Sequence, residues 1–475
     1  MGVTGYHGNM KASRVLTLCS LALHLAAAPA LGAGTPAAEA PGRVRLNWIG
    51  HWKGEDLRER FVVELKRDYE FLHPEVNINL VFDADLPGSE RDHKLRSAKA
   101  IVDMIATGRI DWDIVFLDIA VYEFVAERLK DPAWTARHLV DFSTVPGFAA
   151  SQEPFITADP RYRERTGGIL TGPYTESYLM NVWYNTEVAA RTGVRVRERG
   201  MTVNDFVACA EQLQRYNRKY GTAVTFLKLS AFNRTDTLFE SLFRSQFADH
   251  AAAVAPVFTE AKARAFLRAL EAFERIARHQ PVVNRGWQDL TIEEWRQRTL
   301  VDDDALFVLG GTFMYSHYRG ADPARAGKMR PIENPALGAT RVLVGDYTPV
   351  FAVMKNSPNR DVAVDFLMSS ATPKNAERWV RYTKNLTGVR GYLSDATSRQ
   401  VDAFGDVYEK YLLDMQKGNG GRPVVNLRDP TYVLGADSPV TVVELREKLT
   451  AILEGTLTAR AYYDDALRRL GPRGR

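Results

Sequence analysis

The first third of the chain alternates between short apolar runs and longer stretches whose apolar side chains recur at helical spacing. Apolar side chains three or four residues apart lie on one face of a helix, whereas short runs and alternating apolar positions are typical of strands. The pattern predicts, in order, strand 44–49, helix 57–69, strand 76–82, helix 93–107 and strand 113–117. This order implies a parallel sheet covered by helices on both faces.

A further strand-to-helix unit lies in mid-chain, after a Gly-Pro turn at 172–173. Residues 178–184 are almost continuously apolar, as expected of a strand that is buried on both faces. Asn185 can cap the helix that follows, and Gly193 can end it in the left-handed conformation. The polar and aromatic residues 174–177 are predicted to lie on a loop, where binding residues tend to collect.

Beyond about residue 150 the pattern becomes richer in helices, but strands still interrupt it. The predicted elements are a helix opened by a Thr202–Asp205 capping box and ending at Tyr220, a helix at 266–276, strands at 305–309 and 347–354, a helix at 362–368 and helical structure from residue 440. The whole chain is therefore predicted to belong to the α/β class.

The N-terminus has the pattern of a secretory signal peptide. A basic segment at 10–14 precedes an apolar stretch at 15–28, which small residues follow. The apolar stretch is too short and wrongly flanked for a membrane span, and an uncleaved anchor is the alternative interpretation. We predict a signal peptide over 1–33 with cleavage near residues 30–34, then a flexible leader over 34–42 and a periplasmic or secreted mature protein.

Charge and cysteine content narrow the class of protein. The formal charge of +4 in 475 residues, which falls to about +2 without Lys11 and Arg14, argues against a nucleic-acid partner. Cys209 is the only cysteine beyond the predicted signal peptide, and its helical spacing with Phe206 and Leu213 predicts a buried, unreactive thiol. Without a disulfide, the mature chain depends on its hydrophobic core.

Common catalytic and nucleotide-binding motifs are missing from the sequence. It contains no H-E-x-x-H, no G-x-S-x-G and no G-x-x-x-x-G-K-S/T, and its nine His residues are scattered. We therefore predict no metal and no cofactor. Carboxylates are plentiful, so composition alone leaves a glycosidase pair open.

Four segments in a defined order carry a resemblance to a known family. They are FLHPEVNI at 71–78, WDIVFLD at 112–118, the stretch 172–206, and 305–313 with 353–367. These are similar to an aromatic-x-x-Pro helix-to-strand junction, a Pro-Asp-Val-Val strand with Trp112 in place of Pro, a Pro-Tyr…Leu-Tyr-Tyr-Asn-Lys crossover, and an Ala-Met…Gly-x-Trp strand with its later Val-x-Lys-x-Ser segment. Over about 44–470 the chain thus resembles the family-1 extracellular solute-binding proteins, the sugar-binding components of bacterial ABC importers.

The resemblance implies a two-lobe periplasmic-binding-protein fold of the type II kind. Each lobe would be a mostly parallel sheet covered by helices, with the ligand cleft between the lobes. Lobe one would comprise 43–148 and 340–391, and lobe two 149–339 and 392–475. The lobes of periplasmic binding proteins close around their ligand by hinge motion.

The same resemblance implies a function in uptake. The mature protein would be a monomer that captures a small ligand, a sugar or polyol, and delivers it to a membrane ABC permease. It would not be an enzyme.

Candidate ligand-binding residues follow the predicted strands, because ligands of open α/β sheets bind beyond the carboxyl ends of the strands. His51 and Trp52 follow the first strand, Asp118 follows the third, and Gly311 and Thr312 follow the strand at 305–309. Aromatic rings suit the C–H faces of a sugar, and carboxylates, amides and hydroxyls suit its edge. These five positions are predicted to face the cleft.

Other candidates rest on the resemblance or on their place in loops. Tyr174, Glu176, Phe313 and Tyr432 occupy positions that are similar to cleft positions of the family. Two more candidates are Tyr347, at the start of the predicted strand 347–354, and Trp287, which lies in a loop after Pro281. Trp183 lies inside the mid-chain strand and is predicted to belong to the core.

Other functions stay open at this point. The same pair of lobes could serve as the ligand-sensing part of a signalling system. A polyamine or a metal ion could replace sugar as the ligand in the same fold. A secreted glycosidase is the least favoured interpretation, because no catalytic constellation is recognisable.

The predicted signal peptide can be tested directly. N-terminal sequencing of the mature protein is expected to find a start near residues 31–34, because small residues follow the apolar stretch there. A mature chain that retained residues 15–28 would contradict this prediction.

Overall fold

The computed structural model describes residues 43–89, 93–230, 234–248, 253, 255, 257–342, 344–391, 424–425, 431–435 and 438–471. The predicted signal peptide and leader lie outside these residues. From Val44 onward the described residues form one compact unit.

Ten strands and eighteen helices make up the described part of the chain. The strands are β1 (Val44–Gly50), β2 (Val76–Phe82), β3 (Ile114–Phe116), β4 (Glu176–Asn185), β5 (Thr225–Lys228), β6 (Ala305–Gly311), β7 (Met329–Ile332), β8 (Val344–Thr348), β9 (Phe351–Val353) and β10 (Val424–Val425). The helices of the first half are α1 (Leu57–Leu72), α2 (His93–Thr107), α3 (Ile119–Leu129), α4 (Trp134–His138), α5 (Phe148–Ser151), α6 (Pro154–Ala158), α7 (Pro160–Glu164), α8 (Thr186–Thr192) and α9 (Val203–Tyr220). Those of the second half are α10 (Thr235–Arg244), α11 (Glu260–Ala277), α12 (Ile292–Val301), α13 (Met314–Ala321), α14 (Arg360–Ser370), α15 (Pro373–Thr383), α16 (Thr431–Leu434), α17 (Val442–Leu453) and α18 (Ala459–Leu470).

The first sheet has four strands in the order β2-β1-β3-β9. β1 pairs in parallel with β2 and β3, whereas β9 runs antiparallel to β3. The five elements predicted for the first third of the chain are confirmed in type and order. Their hydrophobic spacing was informative because α1 and α2 each bury one apolar stripe.

The second sheet has the order β10-β8-β4-β6-β5, with β7 also paired to β4. It is mixed, not mostly parallel as predicted, because β4 runs antiparallel to β6, β7 and β8. Among the described strands of this sheet, only the β5–β6 and β8–β10 pairs are parallel. An apolar run indicates that a strand is buried but not in which direction the neighbouring strands run. The sequence pattern therefore could not predict the antiparallel pairing of β4.

The predicted strand at 347–354 is in fact two strands in different sheets. β8 ends at Thr348 in the six-stranded sheet, and β9 begins at Phe351 in the four-stranded sheet. Pro349 lies between them, and proline has no N–H to offer a sheet ladder. Gly172 packs here so closely that a Cβ on it would collide with the carbonyl of Phe351. The chain therefore passes from one sheet to the other at this point, and the lobe boundary predicted between 339 and 340 is corrected to Pro349.

The predicted helix ends in mid-chain are confirmed. The Asn185 side chain accepts hydrogen bonds from the backbone N–H groups of Glu187 and Val188, and Gly193 ends α8 with a φ of 71°. The Thr202–Asp205 capping box at the start of α9 is present with both of its reciprocal bonds. These caps form as predicted because each capping side chain bonds to backbone groups within three residues of it.

Separate hydrophobic clusters cover the two sheets. One surrounds the four-stranded sheet, and the other large cluster lies between the six-stranded sheet and helices that include α9, α10 and α11. Trp183 is 1% exposed, which confirms its prediction as a core residue. Cys209 is also buried, and burial raises the pKa of its thiol to about 12, as expected of an unreactive cysteine.

Among the described residues, no helix is both long enough and apolar enough to cross a bilayer.

The cap at Asn185 provides a stability test. The side chain is buried, caps α8 and donates from Nδ2 to Asp303 Oδ1 at 2.6 Å. Asn185→Ala is expected to lower the free energy of unfolding by about 1–2 kcal/mol, measured by urea denaturation. Asn204→Ala, at an exposed position of α9, is the control and should change it by less than about 0.5 kcal/mol. Equal effects would contradict the assigned cap.

Candidate functional site

A cavity of about 870 Å³ lies where the ends of the two sheets approach each other. Its walls come from the loop after β1, the first turn of α2, the segment after β3, the start of β4, the loop before α12, α13 and the β8–β9 junction. Seven of the predicted candidates line this cavity, namely His51, Trp52, Asp118, Tyr174, Glu176, Phe313 and Tyr347. Their contact with a ligand stays a prediction.

The loop after β1 places an imidazole in the cavity wall. The His51 ring stacks on Phe116 with 3.9 Å between ring centroids, and its Nδ1 lies 2.6 Å from Asp83 Oδ2. Phe116 ends β3, so the histidine is held by packing and by a hydrogen bond at once. The ring is therefore fixed in position before any ligand arrives.

Trp52 supports the site from the core side. Its φ of 73° lies in the left-handed region, which is strained for a bulky residue. The indole is only 4% exposed and packs against Trp379 at 5.0 Å and against Phe351 at 5.9 Å. Trp52 thus lines the cavity mainly as a supporting residue, and most of its ring area is already covered.

Arg58 joins elements of the two sheets. The residue is only 5% exposed, and its guanidinium lies 4.6 Å from the centre of the Trp52 ring. Its Nη1 donates to Glu55 Oε2 at 2.9 Å, and its Nη2 forms an ion pair with Glu176, the first residue of β4. Burial lowers the pKa of Arg58, opposed by Glu55. The predicted ligand-binding carboxylate of Glu176 is therefore already engaged by a cation.

Glu55 stays ionised in this setting. Burial raises the pKa of its carboxyl, but the nearby His317 and Arg58 outweigh that effect and lower the pKa to about 2. His317 lies on α13, and its Nδ1 is 3.6 Å from Glu55 Oε2. A carboxylate and an imidazole from opposite sides of the cavity thus meet in its wall.

The Asp118 carboxylate is engaged by two groups of the protein itself, which its position after a strand did not predict. Its Oδ1 accepts from the backbone N–H of Val121 and caps α3, at 2.9 Å. Its Oδ2 accepts from Lys94 Nζ at 2.5 Å. An Asp immediately before a helix is itself an N-cap signal, and that signal could have been recognised in the sequence.

Tyr174 and Tyr347 belong to a buried aromatic wall. Each is 1% exposed, with Tyr174 edge-to-face against Tyr162 at 5.4 Å and Tyr347 against Phe155 at 5.1 Å. Burial raises the pKa of the Tyr174 hydroxyl well above its usual range. These rings therefore shape the wall, and very little of their surface is exposed.

A bidentate ion pair borders the same wall. Arg165 Nη1 donates to Asp346 Oδ1 at 2.6 Å, and its Nη2 donates to Oδ2 of the same carboxylate. Asp346 is 2% exposed, and its charge raises the pKa of Arg165 against the opposing effect of burial. The pair joins the segment after α7 to β8.

The half-buried aromatic rings of the cavity are Phe313 and Tyr178. They pack edge-to-face at 6.1 Å beside Met180. Tyr178 was not among the predicted residues, because the run 178–184 reads as buried on both faces. Glu176, Tyr178 and Met180 all line the cavity, and their two-residue spacing was a signal that could have been recognised.

Four predicted residues lie elsewhere or cannot be placed. Gly311 and Thr312 adjoin the cavity without lining it, and Thr312 is fully buried. Trp287 packs at the edge of the core of the six-stranded sheet and donates its indole N–H to Glu454 at 3.0 Å. Tyr432 lies in α16, but its side chain falls outside the described part of the structure.

Within the described residues, no group of three or more His, Cys, Asp or Glu side chains is arranged to hold a metal ion.

Comparison with known proteins identifies the fold. No protein-family model matches the sequence, and no curated protein matches it. Solved structures match over nearly the whole chain. Maltose-bound MalE3 of T. maritima is 14% identical with a TM-score of 0.61, over 90% of this chain and 98% of MalE3.

Two further structures agree. The apo form of RafE from Streptococcus pneumoniae is 12% identical with a TM-score of 0.60, over 92% of this chain and 100% of RafE. The GacH receptor of Streptomyces glaucescens GLA.O, solved unliganded and with acarbose, is 17% identical with a TM-score of 0.56, over 90% and 98% of the two chains. The protein therefore has the two-lobe α/β fold of these structures.

The buried histidine makes stability depend on pH. Burial lowers the pKa of His317 to about 3, opposed by Glu55 and aided by Arg296. Between about pH 6.5 and pH 3 the unfolded chain binds a proton at this residue that the folded chain does not, so stability falls as the pH falls below about 6.5. When the pH is lowered from 6.5 to 5, the free energy of unfolding in urea should fall by about 1–2 kcal/mol more for the wild type than for His317→Asn. Parallel pH profiles would contradict the assigned shift.

Proposed function

We propose that the protein is an extracytoplasmic solute-binding protein of the family-1 type. It captures a carbohydrate or polyol in the cavity between its lobes and delivers it to a membrane ABC permease, without catalysing a reaction. The observation that carries this proposal is the 870 Å³ cavity at the sheet ends of a fold shared with maltose-bound MalE3. Cavities of about 300–1,000 Å³ suit ligands of this size.

The lining of the cavity supports a sugar. Phe313 and Tyr178 offer partly exposed aromatic rings for the C–H faces of a pyranose. Hydrogen-bonding groups of His51, Glu55 and His317 lie around the same space. A few polar groups among aromatic ones are typical of small-molecule sites in which the polar groups fix the orientation of the ligand.

Ion pairing in the wall disfavours a polyamine. Glu55 and Glu176 share Arg58, and Asp118 is paired with Lys94. Asp346 is held by Arg165. A cationic ligand would have to compete with these built-in cations for each carboxylate, whereas an uncharged polyol would not.

Location and lobe boundaries belong to the proposal as well. Secretion rests on the N-terminal sequence pattern, whose residues lie outside the described structure. The proposed crossing points lie near 149 and 392 and at Pro349, where the chain passes from the six-stranded to the four-stranded sheet. Closure of the lobes about these crossings would enclose the ligand.

Ligand binding can be tested with a small panel of defined compounds. Maltose, raffinose, xylobiose and sorbitol are titrated by calorimetry and thermal shift, with spermidine as the cationic probe. We expect at least one carbohydrate or polyol to bind at about micromolar Kd, worth about 8 kcal/mol. Binding of spermidine alone would contradict the proposal, and so would binding of none of the five.

Phe313→Ala tests the aromatic surface. Loss of the ring should weaken binding of that compound by about 1–3 kcal/mol, a factor of about 5 to 150 in Kd. Trp183→Phe in the core is the control and should bind like the wild type. Unchanged binding by a folded Phe313→Ala protein would place the ligand elsewhere in the cavity.

A further inference from the structure

One helical face carries both an aromatic ring and an imidazole into the cavity. Phe313 immediately precedes α13 and His317 lies four residues later, a spacing that puts both on one side of a helix. Their rings pack edge-to-face at 5.7 Å, and both residues line the cavity. The His317 side chain is only 5% exposed.

Its neighbour determines which nitrogen of His317 carries the hydrogen. Arg296 Nη2 lies 2.9 Å from His317 Nε2. A guanidinium only donates hydrogen bonds, so Nε2 must accept and cannot carry a hydrogen. With its pKa lowered by burial, the ring is neutral at pH 7 and its single N–H is at Nδ1.

That N–H is buried without a hydrogen bond. Within the described structure, His317 Nδ1 has no hydrogen-bond partner. Glu55 Oε2 is 3.6 Å away, beyond the usual range. A buried donor without a partner is rare in folded proteins and calls for an explanation, and here the residue that carries it lines a cavity.

Glu55 supplies the complementary acceptor. It lies in the loop after β1 of the four-stranded sheet, whereas α13 follows β6 of the six-stranded sheet. Its ionised carboxylate only accepts hydrogen bonds. An oxygen about 2.8 Å from both Nδ1 and Oε2 satisfies the two groups at normal hydrogen-bond length.

We propose that His317 and Glu55 together bind one hydroxyl group of the ligand, with His317 Nδ1–H donating to the hydroxyl oxygen and the Glu55 carboxylate accepting the hydroxyl hydrogen. This inference rests on the proposed function. Because the two residues come from different lobes, the shared hydroxyl would link the lobes. Because a hydroxyl both donates and accepts, an ether or a deoxy position could not satisfy the pair.

Three variants of His317 test whether the residue binds the ligand as a hydrogen-bond donor or only packs against it. His317→Asn keeps an amide N–H attached at Cγ, where Nδ1 is attached. His317→Gln moves the amide one carbon further, and His317→Phe keeps a ring without a donor. Binding is titrated by calorimetry with the compound among maltose, raffinose, xylobiose and sorbitol that the wild type binds, after thermal unfolding has shown that each variant is folded. His279→Asn, on a histidine outside the cavity, is the control.

We expect His317→Phe and His317→Gln to weaken binding by about tenfold or more, and His317→Asn to stay within about threefold of the wild type. If His317→Phe fails to fold, the Asn and Gln variants carry the comparison. Equal losses in Asn and Gln, or no loss in either, would overturn the donor role. If the wild type binds none of the four compounds, the proposed function fails and this inference with it.

A double-mutant cycle tests the sharing of one hydroxyl. The double variant Glu55→Gln/His317→Phe should raise Kd by less than the product of the two single-variant increases in Kd. The reason is that the second substitution removes a hydrogen bond that the first has already weakened. Independent, multiplying losses would show that the two residues bind different groups and would overturn the shared hydroxyl.

Discussion

Burial of the Arg58 guanidinium is the constraint on which the candidate site depends. A cation taken out of water is costly unless its hydrogen-bonding partners surround it, and loss of one partner leaves an uncompensated charge. Arg58 meets this requirement at its two terminal nitrogens, with Glu55 beside it and Glu176 from the other sheet, and the rings of Trp52 and Trp379 pack against it. The loop after β1, the start of β4 and α15 are thereby held together around a single residue.

The wall of the cavity follows from how strands and helices expose their side chains. Alternate residues of β4 point to one side, which brings Glu176, Tyr178 and Met180 to the cavity. Residues four apart on a helix share a face, which brings Phe313 and His317 to it from the other side. The site is therefore built largely on regular elements and the residues that adjoin them, which hold side chains more rigidly than long loops do.

The acidic residues near the cavity already form hydrogen bonds and ion pairs within the protein. Asp118 caps α3 and pairs with Lys94, and Asp346 is held by Arg165 in a bidentate pair. Such internal pairing leaves few groups to attract a charged molecule. The Nδ1–H of His317 differs, because its hydrogen-bonding capacity is unused within the described structure.

The sequence by itself determined the α/β class, the order of the first five elements, the caps at Asn185 and Thr202, and the burial of Trp183. Each depends on residues close together in the chain, whose spacing and chemistry are sufficient to specify it. The tertiary structure alone decided the antiparallel direction of β4, the passage between sheets at Pro349, and the pairing of Arg58 with Glu176. The pairs that β4 forms, and the pair of Arg58 with Glu176, join residues more than a hundred positions apart, which a local sequence pattern cannot indicate. His317 shows the difference most clearly, since only its distances to Arg296 and Glu55 reveal a polar group in the cavity wall.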